Sequence, residues 1–420
     1  MTATYSSAGS RPPVVLAILP QLIPSTLIGV VKPLLALHRE QRIVLDVVLE
    51  SWVSGRRLAR ADVIVFCRNT EPRYGAVLEA ALALGKPIIY ELDDDFFAMP
   101  SGAPGTQYHR DEARLAQLER YLRTASLVRV YSEALRIRVA ALNPRVHRVT
   151  ALVDWDLVPL SPPVRNPAVL RIVYATSRIV DPLAAMFMPD LRRILETFQG
   201  RVEAWFWGFR PADLARRPNV HLVEFIQDYD AFFRRFASAG FDIGVAPLPD
   251  DEFYRAKSDN KFREYAASRI AGIYSDVPVY RECVADGRTG LLVPAVPAGW
   301  FNAMARLIQD ETLRTEIQDQ AWACARARYS VGQSKDVWLE HLDAVIAKHT
   351  PVGTLAGTVA ASLPGRSRTL GVVRRAAEAL QRRQRPGAFA LGASIRWHLR
   401  STRALVQLRR ELARTKSTRV

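Results

Sequence analysis

Short, continuous apolar runs alternate along the first 350 residues with longer segments whose apolar positions recur at helical spacing. Runs of that length suit strands buried on both faces, and their alternation with helices is the signature of a parallel sheet covered by helices. Residues 14–19, 43–49, 63–66, 87–91, 127–131 and 146–152 predict six strands, with helices over 74–84 and 110–124 between them. Gly85, Lys86 and Pro87 close the first of these helices and open the next strand.

A proline-rich polar stretch at 161–167 has the composition of an interdomain linker. A second α/β series follows it. Strands are expected at 170–174, 202–207, 220–223, 243–246, 272–275 and 290–293, and helices at 183–198, 229–237, 261–267 and 298–329. The chain therefore divides into a Rossmann-like unit over 1–160, a second over 168–348 and a tail over 351–420. Doubly wound units place their ligand crevices at the carboxyl ends of their strands, where a cleft between two domains can form.

In the tail, a small-residue tether over 351–364 precedes two expected helices, 370–384 and 391–414, separated by Pro386 and Gly387. Leu391, Ile395, Leu399, Leu405, Leu408 and Leu412 recur at helical spacing among arginines. Charge sharpens this picture. Over 351–420 fifteen Arg and Lys residues stand against Glu378 and Glu411, so the tail carries most of the formal net charge of +16. Such a helix can lie on an anionic bilayer with Leu399, Leu405 and Leu412 inserted, pair with a partner, or pack on the body. Nucleic acid is not expected as a partner, because the only interleaved aromatics are Phe389 and Trp397 and no known binding module appears.

The remaining composition excludes several classes. Hydrophobic residues make up 49% and charged residues 24%, an ordinary globular balance. Cys67, Cys283 and Cys324 stand singly, without the spacing of a disulfide framework or zinc site, which fits a reducing, cytoplasmic setting. The apolar stretch from 14 to 31 is interrupted by Pro20, Gln21, Pro24, Ser25 and Thr26, so it reads neither as a membrane span nor as a signal peptide.

Chemistry concentrates between Phe241 and Pro294. A buried strand opens into a polar loop, and a helix beginning near Asn260 carries Lys261 and Glu264. A helix N-terminus suits a diphosphate, and Lys257 and Lys261 add ammonium donors beside it. Glu264 is an acceptor-only group suited to vicinal ribose hydroxyls. The plainer alternative is a surface ion pair of Lys261 and Glu264 at i, i+3.

The passage from Ala246 and Pro247 through Lys257, Ser258, Asp259, Asn260, Lys261 and Glu264 to Glu282–Val293 resembles the carboxy-terminal domain of the group 1, or family four, GT-B glycosyltransferases. The resemblance extends less sharply over 14–345 and excludes the tail. It implies a GT-B fold of two Rossmann-like doubly wound domains facing a cleft, here with a basic helical C-terminal tail. It also implies transfer of a sugar from a nucleotide diphosphate sugar to a carbohydrate or lipid-linked acceptor, as in cell-surface glycan synthesis; the basic tail adds the expectation of a peripheral place at the inner face of the plasma membrane. The ribose-binding glutamate of the family maps onto Glu264; Lys257, Ser258, Asn260 and Lys261 fall in the donor-binding run, and Arg178 is the remnant of an Arg and Lys pair. No cofactor beyond the nucleotide sugar is implied, and no metal.

The sequence departs from the family at Ala256, where a second glutamate is usual, and at 20–24, where a glycine-rich loop is replaced; Asp250, Asp251 or Glu252 are candidates for the missing carboxylate. A nucleotide-sugar epimerase and a non-catalytic binding protein remain the alternatives on the same fold.

Glu91, Asp93, Asp94 and Asp95 follow a predicted strand on the expected cleft side. Clustered carboxylates suit a hard cation, whereas the resemblance favours Asp93, Asp94 and Asp95 as groups that position or deprotonate an acceptor hydroxyl. A solvated loop with a capping aspartate is the third reading. His109, in the loop that follows, is either catalytic or structural. Trp205 and Trp207 read as packing, and Gly287 and Gly290 as turn formers.

Overall fold

The computed structural model describes residues 11–101, 106–178, 181–349, 401–402, 404–410 and 412. They form two units, one built from residues 1–149 and 334–420, the other from 150–333.

In the first unit, β1 (Val14–Leu19), β2 (Val44–Leu49), β3 (Val63–Cys67), β4 (Ile88–Leu92), β5 (Leu127–Val130) and β6 (Val146–Arg148) form one parallel sheet in the order β2-β1-β3-β4-β5-β6. The apolar runs have little exposed surface because helices cover both faces: all five residues of β3 and β4 are buried. Between β1 and β2 the chain is helical from Pro24 to Arg39, with a π-helical turn at Leu27–Val31. Sequence reading finds no helix there, since Pro24, Gly29 and Pro33 are breakers in isolation. Gly29 is required by proximity. A Cβ at this position would overlap Glu91 Oε1 and Tyr131 Oη, so the helix can lie against β4 and β5 only without a side chain there.

Beneath Gly29 lies a buried ionic network. Glu91, 1% exposed, accepts from Arg129 Nε at 3.0 Å and from the Tyr131 hydroxyl. The Arg129 guanidinium lies 3.8 Å over the Trp338 ring and reaches His341 Nδ1 at 2.7 Å. Arginine has no acceptor to offer, so Nδ1 must be unprotonated. Burial, then Arg129 and His147, hold the imidazole at about 3, which keeps it neutral. Trp338 Nε1 donates to Gly29 O at 2.8 Å and closes the network.

Trp338 and His341 lie on helix Val331–Ala347, whose Trp338, Leu342 and Val345 share a core cluster with Val15, Ala17 and Leu34. The sequence division assigned this segment to the second domain; in the structure it completes the first unit from Ser334 onward. Its apolar stripe is legible in the sequence, but a stripe does not say which sheet it covers.

The described tail residues are helical, and they correct the membrane reading. Leu405 is 0% and Leu412 7% exposed, both within that same core cluster, so neither is available to a bilayer. Ser401 Oγ accepts from Leu22 N at 3.0 Å, and Arg409 donates to Val47 O while lying over Trp52. Leu399 and the helix expected at 370–384 lie outside the described residues. A chain ending at Lys348 should therefore lose roughly 3–6 kcal/mol of first-unit stability, the burial of two leucines. Urea unfolding of the two forms checks this, and equal midpoints would show that the tail helix adds nothing.

The second unit repeats the layering with β7 (Leu170–Ala175), β8 (Val202–Trp207), β9 (Val220–Val223), β10 (Ile243–Ala246), β11 (Ala271–Ser275) and β12 (Leu291–Val293), ordered β12-β11-β10-β7-β8-β9 and parallel. The chain winds outward from β7 to β9, then returns to place β10 on the other side of β7. The topological switch point, where such sheets open a crevice, thus lies between the carboxyl ends of β7 and β10. The proline-rich segment belongs to this unit: Arg165 pairs with Asp242 at 3.2 Å. The single helix expected over 298–329 is two, Gly299–Gln309 and Glu311–Arg328. Asp310 leaves helical geometry between them, and its carboxylate caps the second by accepting from Leu313 N at 2.8 Å.

Candidate active site

At the switch point of the second unit, the loop after β10 leads to a short helix, Glu252–Arg255, and then to helix Asn260–Ala267. Tyr265 ties the latter to the sheet: its hydroxyl donates to Val245 O at 2.9 Å, and its ring occupies the space a Cβ at Gly244 would need. Asp259 stands at the N-cap position but does not cap the helix with its side chain. Its carboxylate instead accepts from Arg263 Nε at 2.9 Å and the Tyr329 hydroxyl at 2.6 Å.

That choice orients the donor-binding residues. Arg263, 3% exposed, donates to Asn260 Oδ1 at 3.1 Å and to Leu152 O at 2.9 Å. With Oδ1 so occupied, the Asn260 amide turns Nδ2 toward Glu264 Oε1 at 3.3 Å, and Lys261 Nζ meets Glu264 Oε2 at 2.8 Å. The chain of bonds from Tyr329 through Asp259, Arg263 and Asn260 thus ends on one carboxylate. The i, i+3 pair of Lys261 and Glu264 therefore forms, but not as a surface pair: the carboxylate is 3% exposed and held by two donors. A buried carboxylate with two donors retains lone pairs for two hydroxyls.

Lys257 places its ammonium 4.2 Å over the Phe253 ring, and Ser258 is partly exposed in the turn before the helix. Arg178, after β7, is 46% exposed and reaches Asp181 at 3.3 Å. Asp181 is buried and also accepts from the Tyr174 hydroxyl at 2.9 Å and Thr176 Oγ1 at 2.8 Å. Sequence reading missed Asp181 and Asp259, whose roles depend on partners from other elements. Asp251 caps Glu252–Arg255 through Tyr254 N at 2.9 Å, and Asp250 pairs with Arg255, which lowers its pKa. Two of the three substitutes for the missing carboxylate are thereby engaged locally, and Glu252 is exposed.

The carboxyl edge of the first unit separates the acidic cluster into different tasks. Glu91 belongs to the buried network. Asp95, 2% exposed, accepts from Phe97 N and Ala98 N and pairs with Arg138 at 2.6 Å, the capping role weighed above. Asp93 and Asp94 converge on Arg68, at 2.5 and 3.3 Å. Arg68 holds a left-handed backbone (φ 59°), a strained state for a side chain of this size that its ion pairs help maintain. Its guanidinium lies over Phe96, on whose other neighbour, His109, the ring stacks at 4.6 Å. Asp93, Asp94 and His109 are therefore brought together through Arg68 and Phe96. Among the described residues no group of three His, Cys, Asp or Glu side chains is arranged to hold a metal ion.

Glu50, which sequence reading also missed, sits in the turn after β2 with its carboxyl 2.8 Å from Asn69 Nδ2. Burial raises it from 4.5 to about 7, against Asn69, which lowers it; Glu71 raises it, and Arg73 and Arg114 lower it. Between those two values the folded chain binds a proton that the unfolded chain has lost, so stability falls as pH rises through the window. Glu50→Gln, which keeps an acceptor for Asn69, should gain about 3 kcal/mol above pH 7 and nothing below the ordinary carboxyl range. Urea midpoints of both proteins across pH test this; a gain independent of pH would show that ionisation is not its source.

Residues 172–310 match the family model described as group 1 glycosyl transferases. Fold and match together define the class: the chain has the GT-B glycosyltransferase fold, and its second unit resembles the group 1 enzymes. Among solved structures, HepE of Anabaena in complex with UDP and glucose is similar at TM-score 0.56 and 15% identity, over 78% of this chain and 99% of that one. Sucrose-phosphate synthase of Thermosynechococcus elongatus is similar at 0.58 and 14%, over 80% and 100%. TarM is similar at 0.50 and 13% over 67% of this chain, which spans about half of TarM's length, 54%. No curated protein matches the sequence.

Proposed function

We propose that the chain transfers a sugar from a nucleoside diphosphate sugar, bound by the second unit, to a carbohydrate or lipid-linked acceptor held by the first. The buried Glu264 carboxylate, poised by Lys261 and Asn260 at the start of a helix beside the switch point, carries this reading. Glu264 accepts from the ribose hydroxyls. Lys257, Lys261, Arg178 and the helix N-terminus face the diphosphate, whose negative charge grows as the bond to the sugar breaks. Fixed cations are worth most there because they need no reorganisation during the reaction. A hexose as the transferred group and a cell-surface glycan as product extend the proposal.

The test is nucleoside diphosphate release from a panel of nucleotide sugars, with and without carbohydrate acceptors, in chelator and in magnesium. Acceptor-dependent release that persists in chelator is the expected result. Conversion of the sugar without release would identify an epimerase, and loss in chelator restored by magnesium or manganese would overturn metal independence.

A further inference from the structure

The first unit holds a polar cluster that the donor site does not use. Glu50 after β2 and Asn69 after β3 meet at the carboxyl edge of the sheet, across the end of β1. Helix Glu112–Thr124 brings two donors to them. Arg114 engages one side of its guanidinium, with Nη2 2.8 Å from Glu71, while its Nη1 is buried without an acceptor. Gln117, on the same helix face, is 9% exposed; burial raises the pKa of the Tyr121 phenol, and Gln117 Nε2 lies near enough to that hydroxyl to lower it, but lacks a well-aligned acceptor. Arg114 further covers the Tyr108 ring at 3.6 Å.

A buried donor left unpaired costs about 1–3 kcal/mol, so two on one helix face signal a partner that is not protein. Charge selects its chemistry. An anion would face Glu50 and Glu71, and a cation would face Arg114. A hydroxyl group satisfies both sides, because it accepts from Arg114 and Gln117 and donates to Glu50. We propose that Glu50, Arg114 and Gln117 form a subsite for a neutral sugar residue of the acceptor. The acceptor part of this assignment rests on the transferase reading; the sugar site itself does not.

The experiment is ligand-observed NMR of the full chain with the methyl glycosides of glucose, galactose and mannose, without donor. At least one should bind, and Gln117→Leu and Glu50→Gln should each weaken it about tenfold, the effect of one hydrogen bond to a buried partner. Urea midpoints of Glu50→Gln measured on the same samples separate loss of binding from unfolding. Absence of binding by all three glycosides, or unchanged binding in both variants, would overturn the proposal and leave buried water as the partner of these donors. Nucleoside diphosphate binding measured on the same samples tests the donor site separately, so failure of one site is distinguishable from failure of the other.

Discussion

Replacing Arg129 with leucine should lower the stability of the first unit by roughly 3–5 kcal/mol, the usual result of leaving a buried charge without its partner. Glu91 and Arg129 are each 1% exposed, and water cannot reach the stranded carboxylate. Burial already raises the Glu91 pKa, with Arg129 as the main opposing influence. Without Arg129 the value rises further, so the penalty is full at alkaline pH and shrinks as falling pH protonates Glu91 in the folded chain. The double variant Glu91→Leu with Arg129→Leu should recover much of the loss, since apolar replacement of a buried pair is often neutral or better. Hydrogen exchange of the β4 and β5 amides in urea reports on this unit alone. A loss below about 1 kcal/mol, or one independent of pH, would show that the pair does not hold the sheet to helix Val331–Ala347.

The second large effect is expected at Glu264. Glu264→Ala should weaken nucleoside diphosphate binding by about ten- to a hundredfold, corresponding to hydrogen bonds between a charged group and the ribose hydroxyls. Lys261→Ala should weaken the diphosphate more than the corresponding nucleoside, because it removes a charge facing the diphosphate as well as one donor to Glu264. Calorimetric titration with nucleoside and nucleoside diphosphate separates the two. If both variants bind both ligands as the unaltered chain does, the donor site lies elsewhere; a matching thermal midpoint guards against misfolding.

The strands were legible because buried parallel strands are continuous apolar runs: 14–19, 202–207, 220–223 and 243–246 coincide with β1, β8, β9 and β10. Helical breaks were less legible. Pro24 sits in the first turn of the helical stretch, where a missing N–H costs nothing, and Pro33 follows directly on its π-helical turn, yet in the sequence both read as interruptions. Asp310 reads as one more polar helix residue until its backbone is seen to leave the helix. The site followed the same division. Asn260, Lys261 and Glu264 lie within one turn and were visible as a unit, whereas Glu50, Arg114 and Gln117 meet only after β2 and helix Glu112–Thr124 are packed.

The return of the chain to the first unit at Ser334 imposes an order on biosynthesis. When Val149 leaves the ribosome, all six strands of the first sheet exist, yet the core still lacks Trp338, Leu342 and Val345. At 5–20 residues per second these arrive roughly 10–40 s later. During that interval the nascent chain exposes the surface that Trp338 will cover and an Arg129 without its histidine acceptor, while the second unit, contiguous in sequence, can already fold. The nascent first unit is then the form most in need of a chaperone, and aggregation should rise in chains that stall between these two points.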